Sequence, residues 1–257
     1  MKKLMIGAVA AIAASTAFCV ESANVVGYAS EDLRSGFIAQ GACFIPVAGE
    51  SIDLTSIIVT GYDKDEGTEE EVMIQSLDRL GATVPGSMYT WIDVVDGSDV
   101  YYGWLNGSGD FVEPGDAVFT PGEAVWVKAP SADFKLQYSG QVPTTDQSNI
   151  LRNGFKLVAN PTPVTVDLTD VVVDGYDKDE GTEEEVMIQS LDRLGATVPG
   201  SMYTWIDVVD GSDVYYGWLN GAGDFVEVGE KTFTPGEAVW VKSPSTQFNI
   251  VFPGVSL

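Results

Sequence analysis

GYDKDEGTEEEVMIQSLDRLGATVPGSMYTWIDVVDGSDVYYGWLNGSGDFVE, residues 61–113, returns as residues 175–227 with one change, Ser108 to Ala222. The offset is 114 residues, too long for a solenoid of short stacked units and long enough for a domain with its own core. Downstream, Phe119 to Lys128 returns as Phe233 to Lys242 at the same offset. Upstream, Leu33-Arg34-Ser35-Gly36-Phe37 matches Leu151-Arg152-Asn153-Gly154-Phe155 at an offset of 118, so the first copy holds four extra residues, around Gly41–Ser51. Such near-identity keeps structural and functional residues alike and cannot tell them apart.

Inside the repeat the pattern is that of strands. Met88 to Val94 alternates, with Tyr89 and Trp91 on one face and Met88, Thr90 and Ile92 on the other. Asp96-Gly97 marks a turn, and Val100 to Leu105 reads as the returning strand. Asn106-Gly107 is a hairpin signal. Ala124 to Lys128 and Phe134 to Tyr138 are two further strands. Val72–Leu80 is read two ways. Thr68 and Glu71 form a capping-box pattern for a short helix, whereas the contiguous Val72, Met73 and Ile74 suit a strand over Val72–Leu77, which we favour. The expected class is all-β: two tandem β-sandwich-like domains, with one short helix each as the alternative at that stretch.

Residues 1–19 differ from the rest. Lys2 and Lys3 precede an Ala-rich apolar run from Leu4 to Ala14, followed by Ser15, Thr16 and Ala17. This is the three-part pattern of a cleaved secretory signal peptide, cut after Ala17 or Cys19. The run is shorter than the roughly 20 residues that a membrane-spanning helix needs. Phe18 stands where a lipoprotein signal places a small residue before its cysteine, which disfavours lipidation at Cys19. The expected organisation is a signal peptide at 1–19, a module at 20–140, a Pro/Thr/Asp/Gln/Ser-rich linker at 141–149 and a second module at 150–257. The expected location is exported: periplasmic, cell-surface or extracellular, with no transmembrane segment in the mature chain.

Charge narrows the partners. The chain of 257 residues carries a net −25, and loss of Lys2 and Lys3 with the leader makes it −27. Nucleic acid and anionic membranes are repelled at long range. The chain has no histidine, which removes Ser-His-Asp and Cys-His nucleophilic systems and every His-ligated metal site. Once Cys19 is lost, Cys43 remains as the one cysteine: a small buried apolar residue in the favoured reading, a link between chains in the other. The expectation is a protein without catalytic residues.

Two residue groups could bind something. Asp63, Asp65, Glu66 and Glu69, repeated as Asp177, Asp179, Glu180 and Glu183, alternate around a glycine and suit Ca²⁺ as a cofactor. The loop is not an EF-hand, since Ile74 stands where the bidentate glutamate belongs; a solvated acidic loop is the other reading. Tyr102 and Trp104, repeated as Tyr216 and Trp218, could stack on sugar rings, although such aromatics more often fill a β core. Trp126 and Trp240 read as core.

Gly154-Phe155-Lys156-Leu157-Val158-Ala159-Asn160-Pro161, Tyr203-Thr204-Trp205 and Pro235 to Lys242 follow a recurring order. It resembles the small all-β modules of secreted bacterial surface proteins: a G-F/W-x-L-x-x-N-P opening, a Y-x-W middle and a P-G-x-A-F/W-V-K-A close. The first copy departs at the opening, where Gln40 to Pro46 replaces the Asn-Pro form. The resemblance implies an accessory module at the cell surface, without catalytic residues to carry over. The expected function is therefore structural or adhesive, by self-association or attachment to a cell-surface polymer. The alternative is a carbohydrate-binding module, calcium-assisted in one version, with glycans as partners. An unpaired strand near Asn24–Tyr28 could complete a neighbouring chain's sheet.

Overall fold

A computed structural model describes residues 26–33, 36–46, 51–61, 72–77, 83–129, 134–151, 154–176, 185–191, 197–243 and 247–256. Residues 1–25 and most of both acidic loops lie outside them. The first half contains β1 (Val26–Leu33), β2 (Gly36–Gly41), β3 (Ile52–Asp53), β4 (Ile58–Thr60), β5 (Met73–Leu77), β6 (Thr83–Asp96), β7 (Asp99–Leu105), β8 (Val118–Phe119), β9 (Ala124–Ala129) and β10 (Phe134–Gln141). The second repeats them in order as β11 (Gln147–Leu151), β12 (Gly154–Ala159), β13 (Val166–Asp167), β14 (Val172–Asp174), β15 (Met187–Leu191), β16 (Thr197–Asp210), β17 (Asp213–Leu219), β18 (Thr232–Phe233), β19 (Ala238–Ser243) and β20 (Phe248–Phe252). Among the described residues the only helical turns are short 3-10 segments, Leu54–Ser56 and Leu168–Asp170, and no helix is long and apolar enough to cross a membrane.

Each half is a sandwich-like pairing of small antiparallel sheets. One sheet runs β2-β9-β5-β6-β7, a second β1-β10-β4, and β3-β8 forms a two-stranded ribbon. The second half uses β12-β19-β15-β16-β17, β11-β20-β14 and β13-β18. The all-β class is therefore as the sequence predicts, and the ambiguous stretch resolves to strand, Met73–Leu77 and Met187–Leu191.

Alternation builds the core. On β10, Phe134, Leu136 and Tyr138 point inward and Lys135 and Ser139 outward. They meet Leu54 from the short 3-10 segment and Ile74, Trp91, Trp104 and Val127 from the other strands. The second half packs Phe248, Ile250 and Phe252 against Leu168, Ile188, Trp205, Trp218 and Val241. Each such side chain contributes about 1.5–3 kcal/mol when fully buried. Cys43 is buried in the first half's core, as the apolar reading expects.

The terminal strand is not unpaired: β1 pairs with β10 of its own half along all eight residues, from Val26 opposite Gln141 to Leu33 opposite Phe134, and is the outermost strand of that sheet. Its hydrogen bonds on that side are already used. The chain does reverse after Asn106-Gly107, as the hairpin signal expects, but through more than two residues, since Phe111 bridges antiparallel to Leu105. Asn106 organises a longer loop, its Oδ1 accepting from the amides of Ser108 and Asp110, before Phe111 bridges back to Leu105. Strand β10 ends at Gln141 and β11 begins at Gln147.

Candidate functional site

Two features on each half face outward and recur in the other. The first is the β6–β7 hairpin, closed by Gly97-Ser98 with Asp96 opposite Asp99. Its returning strand β7 is the outermost strand of the five-stranded sheet. Val100 is 67% exposed there, and Tyr101 and Tyr102 are also exposed. Val214, Tyr215 and Tyr216 occupy the same places in the second half. Phe111 and Val112 fold back against Leu105 and Trp104, covering the far end of β7; among the described residues nothing pairs with the outer edge of Asp99–Tyr102.

The second feature lies on the sheet face turned away from the core. Register places Phe155, Lys242, Met187 and Thr204 in one row across β12, β19, β15 and β16, and Leu157, Trp240, Gln189 and Met202 in the next. These rows form a hollow of about 210 Å³ with Phe155, Met187, Gln189, Met202, Trp240 and Lys242 as its walls. Phe155 meets the Trp240 ring edge-on at 6.4 Å. The first half forms the equivalent hollow, about 220 Å³, from Met73, Gln75, Trp126 and Lys128. An indole wall beside an amide and an ammonium group can take a ligand with one flat apolar face and hydroxyls at its rim. A further hollow, about 260 Å³, has Phe44, Pro46, Ile52 and Tyr138 among its walls.

The residues named from sequence fall in different places. Trp104 and Trp218 are 2% and 3% exposed, so their rings offer no face to a sugar. Their indole N–H groups donate to Ile57 O at 2.8 Å and Val171 O at 2.7 Å. Tyr102 and Tyr216 are half exposed but stand edge-on over Trp91 and Trp205, at 4.7 Å in both halves. Burial, then the Asp93 carboxylate, pushes the Tyr102 hydroxyl up; Tyr216 is pushed up by burial, then by Asp207 and Asp174. Trp126 and Trp240 are not core residues: they are half-buried on the outer face. The signal was available, since Trp126 shares its strand face with Lys128 and the core-facing alternates are Val125 and Val127.

Asp63, Asp65, Glu66, Glu69, Asp177, Asp179, Glu180 and Glu183 lie outside the described residues. Among the described residues no group of three or more acidic or thiol side chains stands together as a metal site. One carboxylate pair missed by sequence reasoning is structural. Asp53 accepts from Thr55 N at 2.8 Å and Thr55 Oγ1 at 2.6 Å through one oxygen, and from Gly115 N at 2.5 Å through the other. Asp167 does the same with Thr169 and Gly229.

No protein-family model, no curated protein and no solved structure matches this chain.

Proposed function

We propose that this is an exported structural or attachment protein whose two acidic β-modules act by self-association or by gripping a cell-surface polymer. The twin hairpin edges carry the reading. An outermost strand with exposed apolar side chains is a template for another chain, and natural proteins normally blunt such strands with charge or proline. Here Val100, Tyr101 and Tyr102 leave it apolar, and the same edge recurs at Val214, Tyr215 and Tyr216. Two equivalent edges on one chain give two-point contact, which multiplies weak affinities. The resemblance to surface-protein modules and the leader pattern of residues 1–19 support the same reading. The large negative charge restrains association until salt screens it.

Light scattering on the mature protein tests this. Particle size should rise with protein concentration, and more so in about 1 M than in about 0.1 M salt. Val100→Lys with Val214→Lys should abolish the additional rise in high salt. A monomer of constant size under all these conditions would sink the reading.

The outer hollows favour a second reading, carbohydrate binding. Its support is the pairing of an indole wall with an amide and a lysine. A glycan array should then show hits that are lost in the combined Gln75→Ala and Gln189→Ala variant. Hits that also fall with a chelator would bring calcium into that site. An array without hits removes this reading and leaves the first untouched.

A further inference from the structure

The two halves meet through one surface used twice. Gly41 and Ala159 occupy equivalent positions, as do Gly122 and Gly236, and Glu123 and Glu237. Gly41 N donates to Gly236 O at 3.0 Å, and Ala159 N donates to Gly122 O at 2.9 Å. The strand bridges exchange in the same way: Gln40 with Glu237, and Val158 with Glu123. Between them Ala39, Ala124, Leu157, Ala159 and Ala238 form a separate apolar cluster, with Trp126 and Trp240 packed against it. A contact in which one residue touches a second, and the equivalent of the second touches the equivalent of the first, is two-fold symmetric; it is the geometry by which identical modules dimerise.

The symmetry breaks at one point. A β-carbon on Gly41 would overlap that of Ala159. The Gly41 backbone is not in the left-handed region, so its conformation does not call for glycine. The second half carries alanine in the equivalent strand position. What excludes a side chain at 41 is therefore mainly the facing half.

We propose that Gly41 and Ala159 are a hole and a knob that make this face pair a first half with a second half, and that the face accepts the opposite half of a second copy of the chain through the same hydrogen bonds. Two second halves are excluded, because their alanines overlap. Two first halves leave a gap where the methyl belongs. In dilute solution the tether at 142–146 favours closure within one chain, and at high concentration copies exchange halves.

The test uses the full mature chain with a protease site inserted between Thr144 and Thr145, which are exposed. After cutting, the halves should co-elute. Tagged and untagged cut protein, mixed, should yield tagged first halves carrying untagged second halves. Gly41→Ala should weaken the pair about tenfold or more, since overpacking a tight contact carries a penalty of that order. Adding Ala159→Gly should restore it to within about threefold of the parent. Halves that separate on cutting, copies that never exchange, or a Gly41→Ala pair as tight as the parent would each overturn the proposal. Should Gly41→Ala fail to fold, the double variant decides: folded and paired supports the proposal, and a variant as defective as the single one overturns it. The twin hairpins play no part in this contact, so the result stands apart from the reading that the hairpin edges carry.

Discussion

The indole nitrogen of Trp104 donates to the backbone carbonyl of Ile57 at 2.8 Å, linking the last core residue of β7 to the segment just before β4. Trp91, beside it at 5.2 Å, is equally buried, yet its own N–H meets no acceptor among the described residues. Replacing either ring with phenylalanine removes similar volume, but one replacement also orphans a buried carbonyl. Trp104→Phe should therefore cost about 1 kcal/mol more than Trp91→Phe. The same ordering is expected for Trp218→Phe against Trp205→Phe, because Trp218 donates to Val171 and the Trp205 N–H meets no acceptor among the described residues. Urea denaturation of the four variants measures it. Equal losses within each pair would show that the hydrogen bond adds nothing.

The paired carboxylates set an acid limit. Burial pushes Asp53 up, but its hydrogen bonds from Thr55 and Gly115 outweigh that and leave the carboxyl below its ordinary 3.8. Asp167 is lowered in the same way by Thr169 and Gly229. A group lowered on folding adds stability above its unfolded value and loses it as pH falls through the folded one. Asp53→Asn keeps one acceptor oxygen for Thr55 but loses the charge and the second acceptor for Gly115 N, and should cost about 1 kcal/mol at neutral pH, the usual net magnitude for one lost hydrogen bond. That gap between parent and variant should narrow as pH falls below about 4. A gap that stays constant from pH 6 to pH 2.5 would mean that charge on Asp53 is irrelevant.

Gly103 on β7 sits at φ 140°, a region that side chains avoid, whereas Gly107 in the following loop is unconstrained, with open space around it. Gly103→Ala should cost at least about 1 kcal/mol and Gly107→Ala close to nothing. The Gly103 loss should appear even though Phe111 stands 3.6 Å from the new methyl position, an ordinary contact, so that backbone strain and not crowding is the cause. Thermal melts of the two variants distinguish them.

Much of this architecture was legible because the repeat is long and its strands alternate. Tyr89 and Trp91 separate from Met88 by parity alone, and β10 reads inward and outward residue by residue. What failed was the assignment of faces from residue type. Trp104 lies between Gly103 and Leu105, neighbours that do not say which strand face is covered, so only the pairing of sheets decides it; Trp126 shares its strand face with Lys128, which marks that face as the outer one. The contact between the halves was not legible at all. Its key residue differs between the copies by one methyl group, Gly41 against Ala159, and that difference acquires meaning only when tertiary structure brings the two together.

The Asn-Pro opening of the second half supplies the last prediction. Asn160 is fully buried, and its side chain uses both ends. Nδ2 donates to Val164 O at 2.8 Å and Phe233 O at 3.1 Å; Oδ1 accepts from Thr162 N at 3.0 Å and Thr162 Oγ1 at 2.7 Å. It thereby ties the end of β12 to its own loop and to β18. The first half has Ala42 at the equivalent position, in the region where it carries its four extra residues. Asn160→Ala should therefore destabilise the second half by about 2–4 kcal/mol, since several buried backbone groups lose their partner at once. Asn160→Asp should be at least as harmful at neutral pH, because a carboxylate cannot donate to Val164 and Phe233 and would face their carbonyls unscreened. Hydrogen exchange followed by mass spectrometry localises the effect. Faster exchange confined to residues 147–256 is the expected result, and a loss spread evenly over both halves would refute it.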